Sequence, residues 1–175
     1  MMVDSNLINL VVVNKMKVIF LDFDGVLNVI PQGHDDFGGI FHPEFVENLG
    51  RIIDETGAKL VISSSWRHMG MERLHRMWKQ RQSPGEIIGI TPDLRWSHDL
   101  EGGPEMVRGD EIQSILDRQP EITNYVILDD DTDMLKNQRM NFVQTSTNIN
   151  HPDCIDIGYG LTKECTNRAI RILNK

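Results

Sequence analysis

Two carboxylates two residues apart, Asp22 and Asp24, follow an apolar run over 18–21, and an acidic group, Asp129, Asp130 and Asp131, follows another over 125–128. A third apolar run, 60–62, ends in three hydroxyls, Ser63, Ser64 and Ser65. These residue types suit phosphoryl transfer. An Asp carboxylate can take a phosphoryl group covalently and so divide hydrolysis into two easier steps, and Asp22 is assigned that role. If the strand stays extended, Asp24 emerges on the same side, placed to protonate the leaving oxygen and later to deprotonate water. Gly25 lets the chain turn sharply and come close to a substrate without a Cβ in the way. Neighbouring strands lie about 4.8 Å apart, so Asp22 would repel Asp129 and Asp130 unless a cation lay between them. Mg²⁺ fits, because it takes oxygen ligands and is commonly held by one or two carboxylates together with substrate phosphate. Ser63 offers a hydroxyl to the phosphate, with Ser64 beside it, and Arg108 is the expected cation on the transferred group. Trp66 and Arg67 are candidates to stack on or clamp the substrate, although Trp66 suits the core equally well.

Runs without polar alternation suit strands covered on both faces, as in a parallel α/β sheet. Open sheets of this kind bind ligands beyond the carboxyl ends of their strands, which is where all these side chains would gather. The first strand is followed by a Gly- and Pro-containing loop over 28–42 and a helix with Phe45, Leu49, Ile52 and Ile53 on one face, closed by Gly57. After the second strand the spacing predicts a helix over 70–81 that buries Leu74, Met77 and Trp78, then a strand over 86–90 and a loop over 91–107. A helix over 110–119 turns Ile112, Ile115 and Leu116 inward and leads to the strand at 125–128. A helix over 132–139, a strand over 142–144 and a helix from Thr162 as N-cap through Leu173 complete the alternation.

At 175 residues and 39% hydrophobic content the chain fits one domain with a proper core, over 16–175, preceded by an extension over 1–15. The apolar stretch over 7–13 is far too short to span a bilayer, so no membrane contact is expected. The net charge of −8 argues against wholesale nonspecific binding to nucleic acid or an anionic membrane. Cys154 and Cys165 form no CxxC and no zinc pattern, which fits a reduced, cytoplasmic setting. The helix after the second strand is locally basic through Arg73, Arg76, Lys79 and Arg81. That is either a solvated face or a track for a phosphodiester backbone. Arg95-Trp96-Ser97-His98, in the 91–107 loop, is a candidate contact to a base.

The residues Asp22-Phe23-Asp24-Gly25-Val26, the strand-ending Ser63 and the acidic pair Asp129-Asp130 resemble three motifs of the haloacid dehalogenase (HAD) superfamily of phosphatases and phosphotransferases. The resemblance implies a Rossmann-like open parallel sheet with helices on both faces. It also implies an Asp22 nucleophile, an Asp24 acid/base, and Mg²⁺ held by Asp22, the Asp24 carbonyl and one acid of the Asp129, Asp130 group. A closer likeness lies in residues 60–67, 108–112, 127–131 and 160–162, which are similar to a small branch found in multi-part RNA-repair proteins, and more distantly to the 3′-phosphatase domain of polynucleotide kinase. The space between Asp24 and Ser63, and the length of 91–107, leave no room for a large cap domain. An open site is expected, acting on a phosphorylated substrate such as a nucleotide or an RNA or DNA end.

Two rival readings belong to other classes. A receiver-like signalling module would place its phosphoacceptor on a middle strand and a Lys at the last strand end, whereas here those positions hold Ser63 and Gln144-Thr145. A non-catalytic phosphate- or metal-binding module would have no need of the full set of acids. A calcium loop starting at Asp129 is excluded by Met134 and Met140 at the places of its Gly and Glu.

Overall fold

The computed structural model describes residues 15–29, 33–94, 106–145 and 160–175. The expected extension over 1–15, except Lys15, and the candidate base contact Arg95-Trp96-Ser97-His98 lie outside the described residues, as does Cys154.

Five strands, β1 (Met16–Leu21), β4 (Lys59–Ile62), β5 (Ile87–Ile90), β6 (Ile122–Asp129) and β7 (Phe142–Gln144), form one sheet in the order β5-β4-β1-β6-β7. Every pairing in it is parallel. The chain walks outward from β1 to β5, then crosses back to lay β6 on the other side of β1. The reversal makes the β1/β6 junction the topological switch point, where a crevice opens.

The side chains alternate between two cores. Ile19, Leu21, Leu60, Ile62, Val126 and Leu128 point to one face and pack with α1 (Pro43–Thr56), α2 (Met71–Gln80) and α4 (Lys163–Leu173). Val18, Phe20, Val61 and Ile127 point to the other, against Ile112, Ile115 and Leu116 of α3 (Arg108–Arg118). Complete burial of side chains this size stabilises the fold by about 1.5–3 kcal/mol each. The result is a Rossmann-like α/β sheet covered on both faces, with no large cap among the described residues. Among them, too, no helix is long and apolar enough to cross a membrane.

Register sets the site. Leu21 is level with Ile62 on one side and Leu128 on the other, so the residues that follow, Asp22, Ser63 and Asp129, emerge at one height on the carboxyl edge. Backbone bonds continue the ladder there: Asp22 N–H donates to Leu128 O at 3.0 Å and Ser63 N–H to Leu21 O at 3.0 Å.

Three local expectations change. The 28–42 loop contains a small antiparallel hairpin, β2 (His34–Asp35) and β3 (Gly38–Gly39). Its turn is held by Phe37 N–H donating to the Asp35 carboxylate at 2.8 Å, the local bond that makes Asp a turn former. The helix expected over 110–119 begins at Arg108. The helix expected over 132–139 is instead a 3-10 helix, Lys136–Asn141, preceded by irregular backbone. The backbone and side chains of that irregular stretch are spent on the start of α3, as described below.

Candidate active site

Asp22, Asp129 and Asp130 each bring a carboxylate oxygen within 4.8 Å of the others. Asp22 and Asp129 are buried, while Asp130 is half-buried. Gly25 makes the approach possible: it has φ +76, and a Cβ there would lie 2.2 Å from the Asp130 carboxylate carbon. The group packed against Gly25 is thus the Asp130 carboxylate, where the sequence led us to expect a substrate. Thr145 fixes the same turn, its N–H donating to Asp129 O at 2.9 Å and its hydroxyl to Gly25 O at 2.7 Å.

Arg108 reaches into this group from the first turn of α3. Its Nη1 donates to Asp22 Oδ1 at 3.0 Å and to the Ser63 carbonyl, and its Nε lies 3.1 Å from Asp129 Oδ2. The segment after β6 pins the helix start. Arg108 N–H donates to the Asp133 carboxylate at 3.1 Å, and Gly109 N–H to Asp133 O at 3.2 Å. Gln138, fully buried, donates to Gly109 O at 2.8 Å and accepts from Leu135 N–H at 3.0 Å. A Cβ on Gly109 would sit 2.5 Å from the Leu135 nitrogen, so the helix start cannot carry a larger residue there without shifting. Asp133 thus serves to place Arg108.

Asp24 stands apart from the three-carboxylate group and is exposed. Trp66 Nε1–H donates to its Oδ2 at 2.8 Å and Asn28 Nδ2–H to its Oδ1 at 2.8 Å. The Trp66 contact is not legible from the motif spacing, since Trp66 lies 42 positions away. The Asp24 carbonyl, the group that the family resemblance offers to a metal, receives no hydrogen bond among the described residues.

The hydroxyls divide their roles. The Ser64 side chain hydrogen-bonds to Asp22 and accepts from Trp66 N–H at 3.3 Å. Ser63 Oγ is buried with no hydrogen-bond partner among the described residues. An unsatisfied buried hydroxyl costs about 1–3 kcal/mol, the kind of deficit that a bound oxyanion removes.

Arg67 is placed differently from the expected clamp. Its side chain is 2% exposed, lies beneath the serines and donates to the Ser63 carbonyl at 2.7 Å and the Ser64 carbonyl at 3.2 Å. It also pairs with Glu111 at 2.8 Å, itself 1% exposed. Its geometry is that of a brace for the 63–64 backbone, because its guanidinium is engaged by those two carbonyls and by Glu111, with Asp93 Oδ1 3.8 Å away. The basic helix is likewise partly committed. Arg81 grips Asp35 with two bonds of 2.9 and 2.7 Å, and Arg73 donates to Asp36 O at 2.8 Å, leaving Arg76 and Lys79 on the exposed face.

The electrostatics show what the group lacks. Burial pushes the Asp22 carboxyl up to about 6; Arg108 and the Ser64 hydrogen bond oppose the rise, while Asp130 and Asp24 add to it. Burial takes Asp129 to about 8 against Arg108, with Asp22 adding its repulsion. Asp130 is also raised, by burial first and then by Asp131. Burial alone would pull the Arg108 guanidinium down, but Asp129 and Asp22 hold it above its ordinary value. When all three carboxylates ionise, one guanidinium leaves about two negative charges in a buried space, and a divalent cation with oxygen affinity matches that deficit. The residues fit Mg²⁺.

A family model described as "HAD domain in Swiss Army Knife RNA repair proteins" matches residues 18–150 of the chain. No curated protein and no solved structure matches it.

Proposed function

Because the chain belongs to the HAD domains of Swiss Army Knife RNA repair proteins, we propose that it is a Mg²⁺-dependent phosphomonoester hydrolase that works through an aspartyl-phosphate on Asp22. The observation that carries the reading is the meeting of Asp22, Asp129, Asp130 and Arg108 at the carboxyl edge of β1 and β6.

In the first step an Asp22 oxygen attacks phosphorus as the bond to the leaving oxygen breaks, and the Asp24 proton passes to that oxygen, releasing an alcohol. In the second, water attacks the phosphoryl group and gives a proton to Asp24. The bond to Asp22 then breaks, returning a free carboxylate and inorganic phosphate. Arg108, already on Asp22, neutralises charge on the phosphoryl oxygens, and the Ser63 and Ser64 hydroxyls are at hand to hydrogen-bond them.

Mg²⁺ would be held by Asp22, Asp130 and the Asp24 carbonyl, where it would screen the phosphate charge from the attacking carboxylate. Asp130 is favoured over Asp129 for direct contact because Asp129 already faces Arg108, whereas Asp130 leans over Gly25 toward the turn.

The substrate in this reading is a phosphomonoester on a nucleotide or on an RNA or DNA end. Support comes from the family match and from the absence of a large cap among the described residues. Turnover of an aryl phosphate with and without EDTA tests the chemistry. A screen across nucleotides, 3′- and 5′-phosphorylated oligonucleotides and sugar phosphates tests the substrate, and activity confined to small sugar phosphates would overturn the nucleic-acid part.

A further inference from the structure

Asp24 must hand a proton to one oxygen and take one from another, so the position of its carboxylate matters as much as its presence. It is exposed and extends from a turn, yet each of its oxygens receives one hydrogen bond, from Trp66 Nε1 and from Asn28 Nδ2, both at 2.8 Å. A carboxylate oxygen has two lone-pair sites, so one site on each oxygen remains for the transferred proton. Rotation of the side chain would break both bonds.

The two donors share one support. The indole ring sits edge-on to Phe23 with centroids 5.6 Å apart, and a Cβ on Gly38 would meet its Cη2 at 3.0 Å. A Cβ on Gly39 would meet the Asn28 amide nitrogen at 2.9 Å. Gly38 and Gly39 form β3, so a single hairpin backs both donors, and the bonds from Arg81 to Asp35 tie that hairpin to the end of α2. The Arg81 guanidinium also lies 4.4 Å from the Phe41 ring centroid and 5.5 Å from that of Trp66. Trp66 is thus fixed by packing on several sides while its one polar atom points at Asp24. An indole has no other hydrogen-bonding group to offer.

We infer that Trp66 is a positioning residue for acid-base transfer by Asp24, acting through its indole N–H and held in place by the hairpin over 34–39. The inference rests on the phosphatase reading. It predicts a loss that depends on the leaving group, which a merely structural tryptophan would not give. A poor leaving group needs the proton from Asp24, whereas a dinitrophenolate departs without one.

The test compares kcat/KM of the full chain with Mg²⁺ on phenyl phosphate and on 2,4-dinitrophenyl phosphate, two substrates of similar shape. Trp66→Phe keeps the aromatic body and removes the N–H. It is expected to lower kcat/KM about 10- to 100-fold on phenyl phosphate, the scale of one hydrogen bond to a charged group, and less than about threefold on the dinitrophenyl ester. Asn28→Ala, a smaller change at a half-exposed position, is expected to show the same bias. In an Asp24→Asn background Trp66→Phe should add nothing. Equal losses on both esters, or none on either, would overturn the inference. If the wild-type chain hydrolyses neither ester, the phosphatase reading itself fails. The contact is then judged by the Trp66 indole N–H resonance in NMR, which must move on Asp24→Ala, and an unmoved resonance overturns the inference by itself.

Discussion

Replacing Arg67 distinguishes a brace from a substrate clamp, because the two roles affect different observables. Arg67 and Glu111 are 2% and 1% exposed and 2.8 Å apart, and Arg67 also satisfies the Ser63 and Ser64 carbonyls. Removing one partner of a buried ion pair leaves the other charge without its partner in a low-dielectric setting, at a cost of about 3–5 kcal/mol. For a chain of this size each kcal/mol lowers Tm by about 2–4 °C, so Arg67→Gln should lower it by ~6–20 °C. Replacing both charges by apolar residues of similar volume, Arg67→Met with Glu111→Leu, removes the stranded charge and should recover part of that loss. The two lost carbonyl bonds limit the recovery, at about 1 kcal/mol each. Thermal denaturation monitored by circular dichroism, paired with aryl phosphate kinetics below the transition, reads both roles. An Arg67→Gln protein with Tm within ~1 °C of wild type and a raised KM would refute the brace and restore the clamp that the sequence alone led us to expect.

Asp22→Asn should abolish hydrolysis while the protein stays folded, and Asp24→Asn should slow it ~10²–10⁴-fold, the usual share of general acid-base help; steady-state assays on phenyl phosphate check both. Gly25→Ala forces a side chain into φ +76 and against the Asp130 carboxylate. It should cost about 1–2 kcal/mol from backbone strain alone and blunt the rise in Tm that Mg²⁺ gives the wild type, as a thermal-shift titration would record. The pH dependence follows from Asp22 and Asp129, raised from 3.8 to about 6 and about 8. Between those values the folded chain holds protons that the unfolded chain has released, so without metal, stability is greatest at the acid end and falls as pH rises through about 6 to 8. Tm in EDTA should therefore decline from pH 5 to pH 9, and Mg²⁺ should restore more of it at pH 8 than at pH 5.5. A Tm in EDTA that climbs over that range would contradict the assignment.

Much of the site was legible because the sheet is simple. Three apolar runs without polar alternation mark strands buried on both faces, and in a parallel sheet the residue after each run must appear on the same edge. That logic found Asp22, Ser63 and Asp129. Arg108 was accessible for a related reason, since a cation at the start of the helix feeding β6 is carried to the same edge. The buried pairing of Arg67 was not legible because its partner Glu111 lies 44 positions away and nothing in local spacing links an arginine to an acid on another helix. The hairpin over 34–39 was missed because strands of two residues carry no period. With it went the support of Trp66 and Asn28 for Asp24, which depends on the Asp35 turn and on Gly38 and Gly39 approaching two side chains. The helix expected over 132–139 failed because Asp133 is used in a bond to the start of α3.

If Asp22 is the phosphoryl acceptor beside a divalent cation, its carboxylate should capture a phosphoryl mimic together with the ion. A crystal structure grown with Mg²⁺ and beryllium trifluoride, which mimics a phosphoryl group on a carboxylate, tests it most directly. Beryllium is expected on an Asp22 oxygen, with Arg108 on a fluorine and Mg²⁺ in contact with Asp22, the Asp24 carbonyl and Asp130. Beryllium on any other carboxylate, or an ion held away from Asp22, would contradict it.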